Sequence, residues 1–182
     1  MGLDMYFYLK TKKKVVAVDC QEDGGYDENY VSYATWSAKD GCDDKTTYPK
    51  DIRPLADYIF ETNFRSQFND DKGYMYYQVG YFRKFNALHG YIVNKFAGGE
   101  DECQEIKITK TKLTKLLGIL YQVNADEELA PELLPTQSGC FFGCYEYNDW
   151  YFDDVKDAIK MCELFLETID FKKYDLIYHA SW

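Results

Sequence analysis

The first ten residues constrain the fold more than any other stretch. Leu3, Met5, Phe7 and Leu9 alternate with Asp4, Tyr6 and Tyr8, the period of two expected of a strand that buries one face. Tyr174 to Trp182 reads as a closing strand. Strands at both ends with helices between them predict an α+β fold, with an antiparallel or mixed sheet that includes both chain termini and is covered on one face by about three to four helices. A length of 182 residues favours a single domain over 1–182, since two compact domains of half that size would each be marginal.

Between the two strands the pattern changes several times. Val15 to Cys20 reads as a second strand, followed by a polar loop through Gly24, Gly25, Asp27, Asn29, Gly41, Asp43 and Asp44. A helix is expected from Pro54 to about Phe68, with Leu55, Ile59 and Phe60 inward, and a strand from Gly73 through Tyr81. Phe82 to Phe96 reads as a helix, because Phe85, Leu88, Ile92 and Phe96 fall at spacings that make one apolar stripe. A short strand near Glu105 to Ile108 leads into a helix from about Lys110 to Asn124, packed through Leu113, Leu116, Leu117 and Leu120, and Pro131 and Pro135 then break the chain. The last helix is expected from Asp149 to Ile169, with Val155, Ile159, Cys162, Leu166 and Ile169 on one face and acids in the first turn, where the helix dipole favours them.

Composition narrows the partners. With 21 basic and 31 acidic residues the formal charge is −10, which argues against sequence-independent binding of long nucleic acid, whose affinity comes from clustered Lys and Arg. A DNA-mimicking inhibitor would want dense carboxylate rows, whereas here the acids are interspersed with aromatics. A small anion held by two or three local cations remains compatible with a negative surface. No apolar stretch reaches the length of a membrane span, and 18 Tyr with 12 Phe supply too much apolar surface for a disordered chain. Met1 to Lys10 lacks a basic region followed by an apolar one, so the chain is expected in the cytoplasm with its six cysteines reduced. Cys140 and Cys144 are close in sequence, but no second cysteine pair or nearby histidine completes a four-ligand zinc site. Neither a metal nor a cofactor is expected.

The candidate site centres on the segment from Gly80 to Tyr91. In a helix, residues three apart are neighbours, so Arg83, Asn86 and His89 would form one polar row beside the apolar stripe. Arg83 and Lys84 suit phosphate oxygens, Asn86 an amide or ribose edge, and His89 a hydrogen bond or a proton transfer. The competing expectation is structural: His89 as a hydrogen-bonded core residue and Arg83 paired with an acid. A second segment, Leu134 to Asp154, brings Gly139 and Gly143 around Phe141 and Phe142. Tyr145, Tyr147, Trp150 and Tyr151 there are candidates for a wall on which a base stacks, against the simpler expectation that they fill the core. Asp149, Asp153 and Asp154 at the helix start are read as dipole partners rather than cation ligands.

The opening Met1-Gly2-Leu3-Asp4-Met5-Tyr6, the run Val79 to His89, the stretch Leu134 to Gly143 with Tyr147 to Asp154, and the final Ser181-Trp182 resemble a family of small uncharacterised bacteriophage proteins. That family usually has Trp where this chain has Phe82, Ala at Phe85, and residues other than cysteine at Cys140 and Cys144. Residues 21–73 carry none of the shared motifs and are read as a variable insert. The resemblance implies a phage accessory protein and assigns no reaction.

Three functions are compatible with these features. The favoured one is an anti-defence protein that binds a small phosphate-containing nucleotide signal without cleaving it, an ADP-ribose-type or cyclic dinucleotide molecule, with a homo-oligomer left open. Its expected ligand-binding residues are Tyr81, Arg83, Lys84, Asn86, His89, Gln137, Ser138, Phe142, Tyr147 and Trp150. The alternatives are a phosphoesterase using His89, for which no H-x-T-type pair or Gly-rich phosphate loop is present, and an inhibitor that docks on a host protein.

Overall fold

The computed structural model describes residues 2–14, 48–61 and 67–182. The strand expected over Val15 to Cys20 and the polar loop from Gly24 to Asp44 lie outside the described residues, as do Cys20, Cys42 and the side chain of Phe60. In chain order the elements are β1 (Asp4–Thr11), a 3-10 turn (Lys50–Ile52), α1 (Arg53–Glu61), β2 (Gln67–Asn69), β3 (Met75–Arg83), α2 (Asn86–Phe96) and β4 (Ile106–Ile108). They are followed by α3 (Lys110–Ala125), a 3-10 turn (Glu127–Leu129), α4 (Ala130–Leu133), α5 (Asp149–Thr168) and β5 (Tyr174–Ser181).

The five strands make one sheet in the order β2-β3-β1-β5-β4, and every described pairing is antiparallel. The fold is therefore α+β, with the strands nearest the two termini side by side at the centre. The alternation in β1 does what its period requires: Met5, Phe7 and Leu9 are fully buried, while Tyr6 and Tyr8 are half-buried on the opposite face. Across the ladders Phe7 lies opposite Tyr178 and Gly80, and Leu9 opposite Leu176 and Tyr77, so one face collects the apolar side chains on which the helices pack. The other face carries a ladder of rings, with Tyr6 5.4 Å from Tyr81 and 6.4 Å from His179.

The helices follow the expected stripes. On α3, Leu113, Leu116, Leu117 and Leu120 are buried, and Thr109 caps the helix by accepting from the Lys112 amide at 3.3 Å. On α5, Val155, Ile159 and Cys162 are buried with Phe165 and Met161, and the Asn148 side chain caps the helix by accepting from the Tyr151 amide at 3.2 Å. Ile52, Leu55 and Ala56 join the same core from the chain ahead of β2.

Three expectations are corrected. The first helix ends at Glu61 and Phe68 belongs to β2, paired opposite Tyr76; no Gly or Pro between 61 and 67 marks the break. Pro131 does not end a segment but occupies the first turn of α4, where a missing N–H costs nothing. Most consequentially, α2 starts at Asn86 rather than Phe82. Phe82 and Arg83 continue β3 opposite Met5 and Asp4, and the Lys84 amide donates to the Leu3 carbonyl at 2.8 Å. The chain turns into α2 only through Lys84, whose φ of 64° is left-handed.

The register of β1 against β3 slips between Phe7 and Tyr8, leaving Val79 as the extra residue of a bulge. Next to it, Gly80 lets α5 approach the sheet: a Cβ there would lie 2.7 Å from Met161 Sδ and 3.1 Å from Phe165 Cζ. Gly80→Ala is expected to cost about 1 to 3 kcal/mol through overpacking, measured by chemical denaturation. An unchanged midpoint would show that α5 yields at this contact.

Candidate functional site

The left-handed turn at Lys84 places the end of β3 against the 143–148 loop and the start of α5. Between them is a cleft of about 240 Å³. Arg83 and Lys84 stand on one side, Trp150 and Asp154 on the α5 side, and Cys144 and Glu146 on the loop. Gly143, at φ 98°, lies so close to Lys84 that a Cβ would sit 2.9 Å from the Lys84 Cβ, so the loop clamps the base of the lysine stem. Arg83 Nε is 3.7 Å from Asp4 Oδ1, an ion pair with the arginine side chain 60% exposed. Trp150 is 82% exposed.

Asn86 borders the cleft but is committed to the structure. At 2% exposure, its amide nitrogen donates to the Phe142 carbonyl at 3.1 Å and the Cys144 carbonyl at 2.8 Å, and its oxygen accepts from the Gln137 amide at 3.0 Å. One side chain thus ties the first turn of α2 to both arms of the 137–144 loop. His89, at 1% exposure, is equally engaged. Its Nε2 lies 2.9 Å from Asp101 Oδ2 and its Nδ1 2.7 Å from the Tyr178 hydroxyl. A carboxylate only accepts, so Nε2 carries the hydrogen, while Nδ1 sits against the Tyr178 hydroxyl, whose pKa is pushed well up by burial and by Asp101. Sealed under Phe142, whose ring meets the imidazole edge-on at 5.2 Å, His89 is unavailable to a ligand in the cleft.

The helical polar row is therefore a strand end, a left-handed turn and a buried helix face. Of the expected binding residues, Arg83, Lys84, Asn86 and Trp150 line the cleft. Tyr81 instead donates to Asp4 Oδ1 at 2.5 Å on the ring-bearing face of the sheet. Phe142 is buried against His89 and Trp182. Tyr147 packs edge-on to Tyr151 at 5.1 Å, and its hydroxyl accepts from the Thr136 amide at 3.4 Å. Gln137 is held on α2, with its Oε1 3.5 Å from Asn94 Nδ2, and Ser138 is exposed on the loop without lining the cleft. The proposed stacking wall is reduced to Trp150. Tyr145 is bonded through its hydroxyl to Gly139, and Tyr151 is buried with its hydroxyl donating to the Leu134 carbonyl at 2.7 Å.

Cys144 Sγ accepts from the Glu146 amide at 3.4 Å and lies 3.8 Å from Asn148 Nδ2. Cys162 is buried, which pushes its thiol up to about 12 and leaves it inert. Among the described residues, no group of three or more His, Cys, Asp or Glu side chains is placed to hold a metal ion, and no helix is long and apolar enough to cross a membrane. Comparison with protein-family models, with curated proteins and with solved structures finds no match.

Asp154 is the cleft residue whose role the residue types alone did not reveal. Half-buried on α5, it has its carboxyl pushed up to about 7, first by burial and then by Asp157 and Asp153. A usable signal was present in the spacing. Asp153 and Asp157 each have a lysine three residues on, Lys156 and Lys160, and pair with it, whereas the residue three after Asp154 is Asp157.

Two outcomes are expected. Asn86→Ala should cost about 2 to 4 kcal/mol, because one amide and two carbonyl groups lose their partner; a loss below about 1 kcal/mol in denaturation would mean that the loop holds without it. For Asp154, the folded protein between about pH 4 and pH 7 keeps a proton that the unfolded chain has released, so stability falls as pH rises through that window and levels off above it. Asp154→Asn should therefore add about 1 to 2 kcal/mol at pH 8, a value discounted for partial exposure, and little at pH 4. Denaturation at both pH values checks this, and a variant less stable than the parent at pH 8 would contradict it.

Proposed function

We propose that this protein binds and sequesters a small phosphate-containing nucleotide in the cleft between the β3–α2 turn and the start of α5, as a phage accessory protein that withholds a host immune signal in the infected cytoplasm. The observation that carries the reading is the juxtaposition, in one cleft, of Arg83 and Lys84 with the open indole of Trp150. Arginine and lysine bind phosphate through charge-assisted hydrogen bonds, and an exposed indole offers a base a stacking surface of about 1 to 3 kcal/mol. Lys84 has no acidic partner among the described residues, so its charge is available to an anion. The resemblance to bacteriophage proteins supplies the context.

The cleft's size bears on the ligand. At about 240 Å³ it lies just below the range of about 300 to 1,000 Å³ that encloses a drug-sized molecule, which suits one base and one phosphate better than a whole dinucleotide. A larger signal would seat one nucleotide unit and leave the rest outside. With His89 sealed away, the acid or base on which the phosphoesterase reading relied is out of reach of the cleft, so a bound signal is expected to be released intact.

A second reading has its own observation. Phe141, Tyr145, Trp150 and Trp182 are all exposed, and aromatic side chains are enriched where proteins dock on one another, which favours docking on a host protein.

Incubation with a panel of nucleotide signals, followed by thermal shift, denaturation and chromatography of the released ligand, separates these functions. Sequestration predicts a melting temperature that climbs with the logarithm of ligand concentration and an unaltered ligand after release. Arg83→Glu should abolish retention while shifting the melting temperature little, because its exposed pair with Asp4 contributes at most about 1 kcal/mol. Turnover of any panel member would make the protein an enzyme, and a flat response across the panel would leave protein docking as the better reading.

A further inference from the structure

Asp153 and Asp157 are each paired with a lysine, at 3.0 and 2.9 Å. Asp154, between them on α5, makes no hydrogen bond or ion pair among the described residues, yet it is half-buried and lines the cleft. A carboxyl group taken out of water without a partner is costly, and a ligand that donates to it recovers that cost. Its position also selects the kind of donor. Trp150 and Asp154 are four residues apart on one helix, the spacing of surface neighbours, and both line the cleft. A planar ring laid on the indole is then within one helical turn of the carboxylate.

A carboxylate has two oxygens in one plane and is matched best by two parallel N–H donors. Guanine offers that pair, N1–H and the 2-amino group, side by side on its Watson–Crick edge. Adenine sets one amino donor beside an acceptor, cytosine does the same, and uracil has a single N–H between two carbonyls. The opposite side of the cleft supplies Arg83 and Lys84, so the same ligand can carry its phosphate there.

We infer that Asp154 is the base-reading residue of the cleft and selects a guanine nucleotide, its carboxylate accepting from N1–H and the 2-amino group while Trp150 stacks on the ring and Arg83 and Lys84 hold the phosphate. This rests on the nucleotide-binding reading above and deepens it. It favours guanylate-containing signals, a cyclic dinucleotide with a guanylate half among them, over ADP-ribose-type molecules, whose only base is adenine.

The test is a titration of the parent protein and of Asp154→Asn with GMP, IMP and AMP at pH 8, followed by quenching of tryptophan fluorescence and by calorimetry, with melting temperatures taken on the same samples. IMP retains N1–H and lacks the 2-amino group. The parent should bind GMP at least tenfold more tightly than AMP, with IMP between them. Asp154→Asn should lose at least tenfold for GMP and little for AMP. Equal binding of GMP and AMP by the parent, or an unchanged GMP affinity in the variant, overturns the base-reading role and leaves nucleotide binding standing. No binding of any of the three by the parent overturns this inference, and if the wider panel is flat too the nucleotide reading falls with it. The variant lacks a charge that burial disfavours, so a melting temperature at least equal to the parent's certifies that any loss is one of recognition. Trp150→Ala, which removes an exposed side chain, provides the second check: it should weaken all three ligands together, and unchanged affinity for them would place the base elsewhere.

Discussion

The molecule hangs on β1. Its residues pair with β3 on one edge and β5 on the other from Asp4 onward, so the backbone polar groups of its buried stretch are satisfied within the sheet. The same strand organises the cleft. The Leu3 carbonyl takes the Lys84 amide and Asp4 stands opposite Arg83, which fixes where β3 stops and where the two cations emerge. Phe7 meets Gly80 and the ring of Phe165 on the inner face, so α5, which carries Trp150 and Asp154, is seated against the same pair of strands. Both sides of the cleft are thus referenced to one strand pair, and this gives a shallow surface feature a defined geometry.

Polar residues near the cleft divide into those that build it and those that face it. Asn86 and His89 are buried, and every side-chain nitrogen and oxygen they carry has a partner. They hold the 137–144 loop and β5 against α2. Arg83, Lys84 and Asp154 keep more of their hydrogen-bonding capacity toward the cleft. Chemical type alone does not make this division, since asparagine and histidine are as suited to ligands as arginine and aspartate are.

Much of the fold was legible in the residues. β1, β5, α3 and α5 announce themselves because each buries one face of a regular element, and a single-period pattern is what such burial writes into a sequence. The start of α2 was not legible, because Phe82 and Phe85 fit an apolar helical stripe as well as they fit a strand end and the turn after it. The decision is made by pairing with Met5 and Asp4, far away in the chain, and by a left-handed lysine that no local rule requires. Because the polar row was drawn on a helix that begins four residues later than expected, the site was half right. Arg83 and Lys84 reach the cleft by a route other than helical spacing, His89 does not reach it, and Asp154 was read only as a partner of the helix dipole. The stacking residues failed for a related reason: Phe142 and Tyr151 are buried and Tyr147 is half-buried against its neighbours, and only tertiary packing distinguishes such a ring from an open one.

The central position of β1 also dictates when the molecule can finish folding. Phe7 pairs with Tyr178, about 170 residues later, and β4 joins the sheet only through β5. A ribosome adds about 5 to 20 residues per second, so for many seconds β1 has a completed apolar face and an edge still waiting for β5. Contacts of such long sequence separation also form slowly, because loop closure precedes any stabilisation from them. The nascent chain therefore passes through a period in which one edge of β1 is unpaired, and that edge is covered only once β5 has been made.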